Sequence, residues 1–241
     1  GAMDERWHDP SREAIEALLV EVARGLPAGA RVLDAGAGEA PYASLFAEAA
    51  YVACDFAKGD PAWDYSRLAA VCDLRALAFR DGAFDLILST ETLEHVPDPK
   101  SAFGEFARAL VPGGRLVVTV PFQGYREHQA PYDYFRYTRY GLEHLAREAG
   151  LVVEEVRAVG GVFSLMAKLL HYLTGYWFLK PEPAWKRLAK TPLRAGYSLF
   201  TRAAFLVLRV LDRRDRRRDY ALHYLLVCTK GEAERPHGLS R

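Results

Sequence analysis

The stretch from Arg31 to Glu39 places an acidic residue beside closely spaced glycines, a pattern that suits the binding of a nucleotide-like ligand. The apolar residues before Asp34 indicate a buried strand, and Asp34 stands where that strand stops. Gly36 and Gly38 follow at alternate positions, so the backbone can turn tightly and let a ligand approach closely. Pro41 is expected to open a helix (42–48) whose N-terminus adds polar N–H groups to the site. An ordinary tight turn between a strand and a helix would contain the same glycines.

Acidic residues also end the next two predicted strands. Asp55 closes a strand over 51–55, about 20 residues beyond the first motif, where a carboxylate can accept the ribose hydroxyls of a nucleotide. Asp73 and Leu74 end a third strand over 70–74. The chain lacks the Gly-Lys-Ser/Thr ending of a phosphate-binding loop, and Pro41 stands where a dinucleotide fingerprint has its third glycine, which argues against NAD.

Two later segments complete a set of motifs. The hexapeptide Glu94–Pro99 (Glu-His-Val-Pro-Asp-Pro) follows the predicted fourth strand, and Pro112-Gly-Gly turns the chain into the fifth. Together with the three acidic tips and the glycines, this ordered set resembles the class I S-adenosylmethionine-dependent methyltransferases, in their small-molecule, type 11-like group. The resemblance covers about residues 30–160 and 219–230, and Ala40 departs from the family's usual third glycine.

The resemblance implies S-adenosyl-L-methionine as the cofactor and assigns contacts to it. The loop of Gly36 and Gly38 would lie against the methionine part of the cofactor, with Asp34 helping to hold its amino group. Asp55 would bind the ribose. The adenine would meet Asp73 through its exocyclic amine and Leu74 through its ring, and Thr90 would line the same pocket.

The alternation of strands and helices predicts an α/β, doubly wound, Rossmann-like fold. We expect a seven-stranded, mostly parallel sheet whose last strand (220–229) is antiparallel, as in the resembling family. One methyltransferase domain would then occupy 1–241, with a helical insertion over 161–218 placed before the last strand. This insertion is much longer than an ordinary connection within a domain.

The loop over 121–140 mixes aromatic and polar side chains after the end of a strand, where open α/β sheets bind ligands. We interpret it as the acceptor pocket, although an aromatic loop packed under the next helix would have the same composition. His128 is the predicted general base, and Asp133 would orient it. His95 is a second candidate base. The predicted acceptor contacts are Tyr125, Tyr132, Tyr134 and Arg136.

The helical insertion carries the chain's charge asymmetry. Net charge over 241 residues is only +1, but residues 180–218 hold 12 basic and 3 acidic residues. An apolar helix (162–179) beside an arginine-rich one can cap the active site, dock peripherally on an anionic membrane or form a homodimer. Lys168, His171 and Gly175 argue against a membrane-spanning segment. No nucleic-acid reader motif accompanies the basic run, so a nucleic-acid partner is not expected.

Composition and motifs together define the expected function. The three cysteines lie far apart in apolar runs, which favours a cytoplasmic protein with reduced thiols, and no metal-ligand spacing is predicted. We expect a methyltransferase that acts on a small-molecule, saccharide or lipid-linked acceptor, at oxygen. A non-catalytic cofactor-binding scaffold and an NAD-dependent oxidoreductase are the alternatives.

Overall fold

The computed structural model describes residues 10–178 and 191–231, and its strands form one seven-stranded sheet. The strands are β1 (Arg31–Ala35), β2 (Ala50–Asp55), β3 (Ala70–Val71), β4 (Phe84–Thr90), β5 (Leu110–Pro121), β6 (Leu151–Val159) and β7 (His223–Lys230). Their order is β3-β2-β1-β4-β5-β7-β6, with β7 antiparallel. The predicted fold class is therefore confirmed. The strand order reverses between β1 and β4, and ligands of open α/β sheets bind at such a switch point.

Along the chain, the described residues also form five α-helices: α1 (Ser11–Arg24), α2 (Pro99–Ala109), α3 (Arg139–Glu148), α4 (Val162–Phe178) and α5 (Thr191–Asp212). Side-chain caps fix where two of them begin. The Asp98 carboxylate accepts a hydrogen bond from the Ser101 N–H, and the Thr138 hydroxyl accepts one from the Gly141 N–H. Asp and Thr are residue types that favour this position at the start of a helix. Asp9 before Pro10 is a further helix-start pair in the sequence, and it lies outside the described residues.

The predicted helix after the glycine loop is wrong. Only a short 3-10 turn, Ala43–Phe46, forms there, and Ala40 just before it has a φ of +52°. A ligand at the glycine loop therefore meets no α-helix N-terminus. Over 63–68 the structure likewise has only a 3-10 turn, Tyr65–Arg67, and the third strand, predicted over 70–74, ends after Val71. These connections are set by packing against the sheet, which overrides local propensity.

Contacts divide the chain into two units. The sheet unit contains Glu16–Pro121, Glu127–Arg157 and the chain after Tyr224. Its core includes the β4 side chains Leu86, Ile87 and Leu88 together with Phe103 and Phe106 of α2, and all five are fully buried. Burial of these large apolar groups is the main stabilising contribution in this unit.

The helical unit contains Phe122–Arg126 and Ala158–His223 together with the start of the chain. In it, α4 and α5 pack against each other. The buried Asp212 carboxylate at the end of α5 accepts hydrogen bonds from the backbone N–H groups of Gly161 and Ser164, at 3.0 and 2.9 Å. Arg218 donates to its other oxygen at 2.7 Å. These bonds satisfy N–H groups that the start of α4 leaves without helical partners.

None of the helices in the described residues is long and apolar enough to cross a membrane. This result agrees with the prediction from the sequence that the apolar stretch containing α4 does not span a membrane.

Candidate active site

A cavity of about 440 Å³ lies in the sheet unit, at the ends of the strands beside the switch point. Its volume falls within the usual range for ligand pockets. Walls come from the loops after β1, β2, β3 and β4 and from part of the 121–140 loop. The predicted site residues on its walls are Gly36, Gly38, Asp55, Asp73, Leu74, Thr90, Tyr132 and Tyr134.

The glycine loop is shaped by packing against two side chains. Gly36 has a φ of +85°, and a Cβ built on it would lie 2.1 Å from Cγ2 of Thr92. A Cβ on Gly38 would lie 3.3 Å from the Trp63 ring. The Thr92 hydroxyl also donates to the Gly36 carbonyl at 3.0 Å. At Gly36 the absence of a Cβ is therefore required by the neighbouring Thr92, in addition to any approach by a ligand.

Asp55 connects the glycine loop to the loop after β2. Its carboxylate accepts hydrogen bonds from the Gly38 N–H at 2.9 Å and from the Ala57 N–H at 2.7 Å. Each carboxylate oxygen can accept a further bond, so the side chain keeps capacity for the hydroxyls of a bound ribose. Asp55 consequently has a structural task in addition to the predicted one.

Asp73 lies on the cavity wall, but its carboxylate already has a partner. The Arg75 guanidinium donates to both oxygens, at 2.6 to 3.0 Å, and its pairing lowers the pKa of Asp73. Arg75 lines the cavity as well. An adenine amine at Asp73 must therefore share the carboxylate with this guanidinium. This competition could not be predicted from the sequence, because the pairing depends on the backbone turn after β3.

Asp34 is almost fully buried, and it is not among the described residues that line the cavity. Its Oδ2 accepts a 2.5 Å hydrogen bond from the Tyr51 hydroxyl, whereas Oδ1 has no partner. Burial raises the pKa of Asp34 to about 6, which the Tyr51 hydrogen bond partly offsets. A buried carboxylate oxygen without a donor is costly unless a ligand supplies one. Such an oxygen fits a cofactor that carries an ammonium group.

The 121–140 loop brings two histidines together. The rings of His95 and His128 lie edge to face, with centroids 4.7 Å apart, and His95 is the one that lines the cavity. Nδ1 of His95 lies 2.5 Å from the Tyr132 carbonyl oxygen. Because a carbonyl only accepts, this nitrogen carries the proton and Nε2 keeps its lone pair. Burial lowers the pKa of His95, which favours the neutral ring.

Asp133 anchors the second histidine. Its Oδ2 accepts a hydrogen bond from the His128 N–H at 2.9 Å and lies 3.5 Å from Nδ1 of the same residue. Arg136 donates to both carboxylate oxygens, at 2.5 and 2.9 Å, and this pairing lowers the pKa of Asp133 to about 2. Asp133 is therefore ionised at neutral pH. The predicted acceptor contact Arg136 is committed to this ion pair.

Glu94, His95 and His128, here called the histidine cluster, have ligand atoms within 4.8 Å of one another, close enough to suggest a metal site. Oε2 of Glu94 is buried without a hydrogen-bond partner, and burial raises the pKa of this carboxyl well above its usual value. The positive charge of Arg136 acts on both Glu94 and His95, and it disfavours a second cation there. The predicted absence of a metal stays a prediction.

Several cavity residues were not predicted from the sequence. Glu91 and Gln129 have positive φ values of 50° and 52°, and both line the cavity with Trp63 and Arg75. Non-glycine residues in this region are strained, and such strain collects at functional sites. No sequence pattern marks it, because the fold imposes the angle.

Tyr125 belongs to the helical unit. Its ring lies under the Lys168 ammonium, 2.9 Å from Nζ to the ring centroid, and its hydroxyl lies 3.3 Å from Nδ1 of His223. Its role as an acceptor contact stays a prediction.

The chain belongs to the family described as methyltransferase domain, whose profile matches residues 6–156. This match confirms the resemblance to the S-adenosylmethionine-dependent class. Over 111 residues the chain is 37% identical to the demethylmenaquinone methyltransferase of Renibacterium salmoninarum, covering 42% of this chain and 45% of that one. The chain spans less than half the length of the curated relatives it matches, and it covers 19% of a phosphoethanolamine N-methyltransferase of Caenorhabditis elegans.

Solved structures share the fold at low sequence identity. The [4+2]-cyclase SpnF superimposes with a TM-score of 0.57 at 21% identity, covering 92% of this chain and 83% of that one. A phosphoethanolamine N-methyltransferase of Haemonchus contortus in complex with S-adenosyl-L-methionine gives 0.54 at 17% identity, covering 91% and 53%. Since one neighbour is a cyclase, the fold alone does not determine the reaction.

Proposed function

We propose that the chain transfers the methyl group of S-adenosyl-L-methionine to an oxygen atom of a small-molecule, saccharide or lipid-linked acceptor. The observation that carries the proposal is one cavity that combines the glycine loop and the carboxylates of Asp55 and Asp73 with two tyrosines, beside the paired imidazoles of His95 and His128. The first group suits an adenosyl ligand, and the second suits a polar acceptor. The family to which the chain belongs favours this reaction over hydride transfer to NAD.

The cofactor would be held by residues already in place. Asp55 would accept the ribose hydroxyls while it keeps Gly38 in position. Asp73 and Leu74 on the cavity wall would meet the adenine. Asp34 is buried and not on that wall, and its carboxylate with one unpaired oxygen would attract the ammonium group towards the glycine loop. The bound cofactor supplies a methyl group that is already activated by its sulfonium. The protein's task is then to align the nucleophile with that methyl and to exclude water.

His128 is the proposed general base. A base becomes positively charged when it takes a proton, and the ionised Asp133 lies 3.5 Å from His128 Nδ1 to stabilise that charge. The side chain of His128 is 36% exposed, so the accepted proton can pass to solvent. Burial disfavours a charged His95, although this ring lies nearer the cavity. We assign His95 the task of holding the 121–140 loop through the Tyr132 carbonyl.

Tyr132 and Tyr134 complete the proposed acceptor site. Both line the cavity, and both are about 40% exposed, at 36% and 44%. Exposed aromatic rings beside a cavity can stack on a sugar or an aromatic acceptor. The Tyr134 N–H donates to the Glu94 carbonyl at 2.8 Å, which fixes the loop next to the histidine cluster. A nitrogen or carbon acceptor would use the same aromatic wall.

Turnover on an acceptor panel tests the proposal. We expect His128→Ala to lower kcat by about 100-fold or more with cofactor affinity unchanged, which is the usual contribution of a general base. His144→Ala is the matched control, because its side chain is 70% exposed on α3. A rate lost in His95→Ala but unchanged in His128→Ala would transfer the base to His95. Cofactor binding without turnover on any acceptor would favour the non-catalytic scaffold.

A further inference from the structure

Helix α5 turns an apolar face towards solvent. Six exposed residues occur at positions i, i+1, i+4, i+7, i+8 and i+11: Leu199, Phe200, Ala203, Leu206, Val207 and Val210. At 3.6 residues per turn they share an arc of about 120°. Five of these side chains are more than half exposed, and Leu199 reaches 71%. Scattered apolar residues on a surface are ordinary, but a continuous stripe of this kind marks an interaction site.

The inward face of α5 is already satisfied. Thr201, Phe205 and Asp212 are buried within the helical unit, so the exposed stripe is a second apolar face. The neighbouring helix α4 adds exposed apolar residues of its own. Met166, Leu169 and Leu173, at i, i+3 and i+7, are each about half exposed, at 50%, 53% and 48%.

Positive charge borders this stripe, and negative charge is absent from it. Arg202 is exposed beside the stripe, and four exposed arginines follow the end of the helix: Arg213, Arg214, Arg216 and Arg217. The single carboxylate of α5, Asp212, is buried and bonded to Arg218. A ligand on the stripe therefore meets apolar side chains bordered by guanidinium groups. The Glu13 carboxylate lies 3.8 Å from Arg209 of α5, so it is paired with one of these arginines.

We propose that the α5 stripe docks on the surface of a membrane that contains anionic lipids. An amphipathic helix of this kind lies in the interface plane, with its apolar side chains at the boundary between headgroups and acyl chains. Arginines along its edge bind lipid phosphates. A second copy of the chain fits less well, because a twofold contact through this stripe would place the same arginines of both copies near one another. The inference rests on α5 and the residues beside it in the helical unit, and it does not depend on the proposed reaction.

Co-sedimentation of the full chain with vesicles tests the docking. We expect binding to vesicles of phosphatidylcholine mixed with phosphatidylglycerol, weak binding to pure phosphatidylcholine, and a loss of binding as salt is raised. Arg202→Gln combined with Arg213→Gln should weaken partitioning by about 30-fold, since each arginine near the surface contributes about one factor of five. Leu206→Ser combined with Val207→Ser should abolish it.

Matched variants separate docking from misfolding. Arg67→Gln combined with Arg80→Gln makes the same charge change at exposed sites outside the stripe and should leave partitioning unchanged. S-adenosylhomocysteine binding, measured on every variant, reports whether the sheet unit is intact. Absence of sedimentation with the anionic vesicles would overturn the proposal. So would a dimer detected by light scattering that Phe200→Asp dissociates, since the stripe would then join two copies.

Discussion

Replacing Asp55 by alanine separates its two tasks. The carboxylate holds the backbone N–H groups of Gly38 and Ala57 at 2.9 and 2.7 Å, and we propose that it also accepts the ribose hydroxyls. Hydrogen bonds to a charged acceptor contribute about 1.5–3 kcal/mol each when buried. Asp55 is only half-buried, so we take the lower part of that range. Asp55→Ala should therefore weaken cofactor binding by about 2 kcal/mol, or about 30-fold in Kd.

The assay compares two ligands by calorimetry, S-adenosylhomocysteine and its analogue without ribose hydroxyls. If Asp55 binds the ribose, the variant loses affinity for the first ligand and little for the second, as in a double-mutant cycle. If Asp55 acts only through the glycine loop, both ligands lose equally. Equal losses would refute the ribose assignment while leaving the loop contacts intact. Unfolding in denaturant measures the loop contribution independently.

Three further perturbations follow from the same geometry. Gly36→Ala should lower the free energy of unfolding by about 3 kcal/mol, because strain at φ +85° adds to the clash with Thr92. Gly29→Ala is the control: this residue has a φ of +74° but open space around it, so the variant should cost about 1 kcal/mol. Thermal unfolding measures both variants. The pKa of Asp34 is about 6 in the folded chain against 3.8 for the free side chain, so the folded chain binds this proton more tightly than the unfolded chain does. The stabilisation by the protonated carboxyl is therefore fully present below pH 3.8, and it is lost as pH rises through 6. That loss is about 3 kcal/mol, and Asp34→Asn should remove it from the pH profile, whereas an unchanged profile would contradict the burial argument. Treatment with EDTA should leave cofactor binding and turnover unchanged, because Arg136 opposes a cation at the histidine cluster; activity restored only by added metal would overturn this.

The sequence predicted those parts of the fold that local chemistry determines. Asp98 and Thr138 cap their helices because a short polar side chain before a helix can reach its free N–H groups. The second strand was predicted over 51–55 from its apolar residues, and it is observed over Ala50–Asp55. The helix after the glycine loop failed because propensity alone suggested it, while the tertiary contacts allow only the turn Ala43–Phe46.

Some features of the site could be predicted from the sequence, and others could not. Asp55 and Asp73 end predicted strands, and strands of a parallel sheet bring their ends to one edge, so their meeting at one cavity could be anticipated. The pairing of Asp73 with Arg75 could not, since it depends on a turn geometry without a sequence signature. Both His128 and His95 were candidate bases, and the sequence could not show that His95 is the one on the cavity wall, because loop folding sets which of the two histidines faces the cavity.

Calorimetric titration of the full chain with S-adenosylhomocysteine and, separately, with NADH tests the central claim most directly. The claim is that one molecule of the methyltransferase cofactor is bound by the glycine loop (Gly36 and Gly38) together with the carboxylates of Asp55 and Asp73. We predict binding of S-adenosylhomocysteine at a single site and no measurable heat with NADH. Binding of NADH with no binding of S-adenosylhomocysteine would contradict the account.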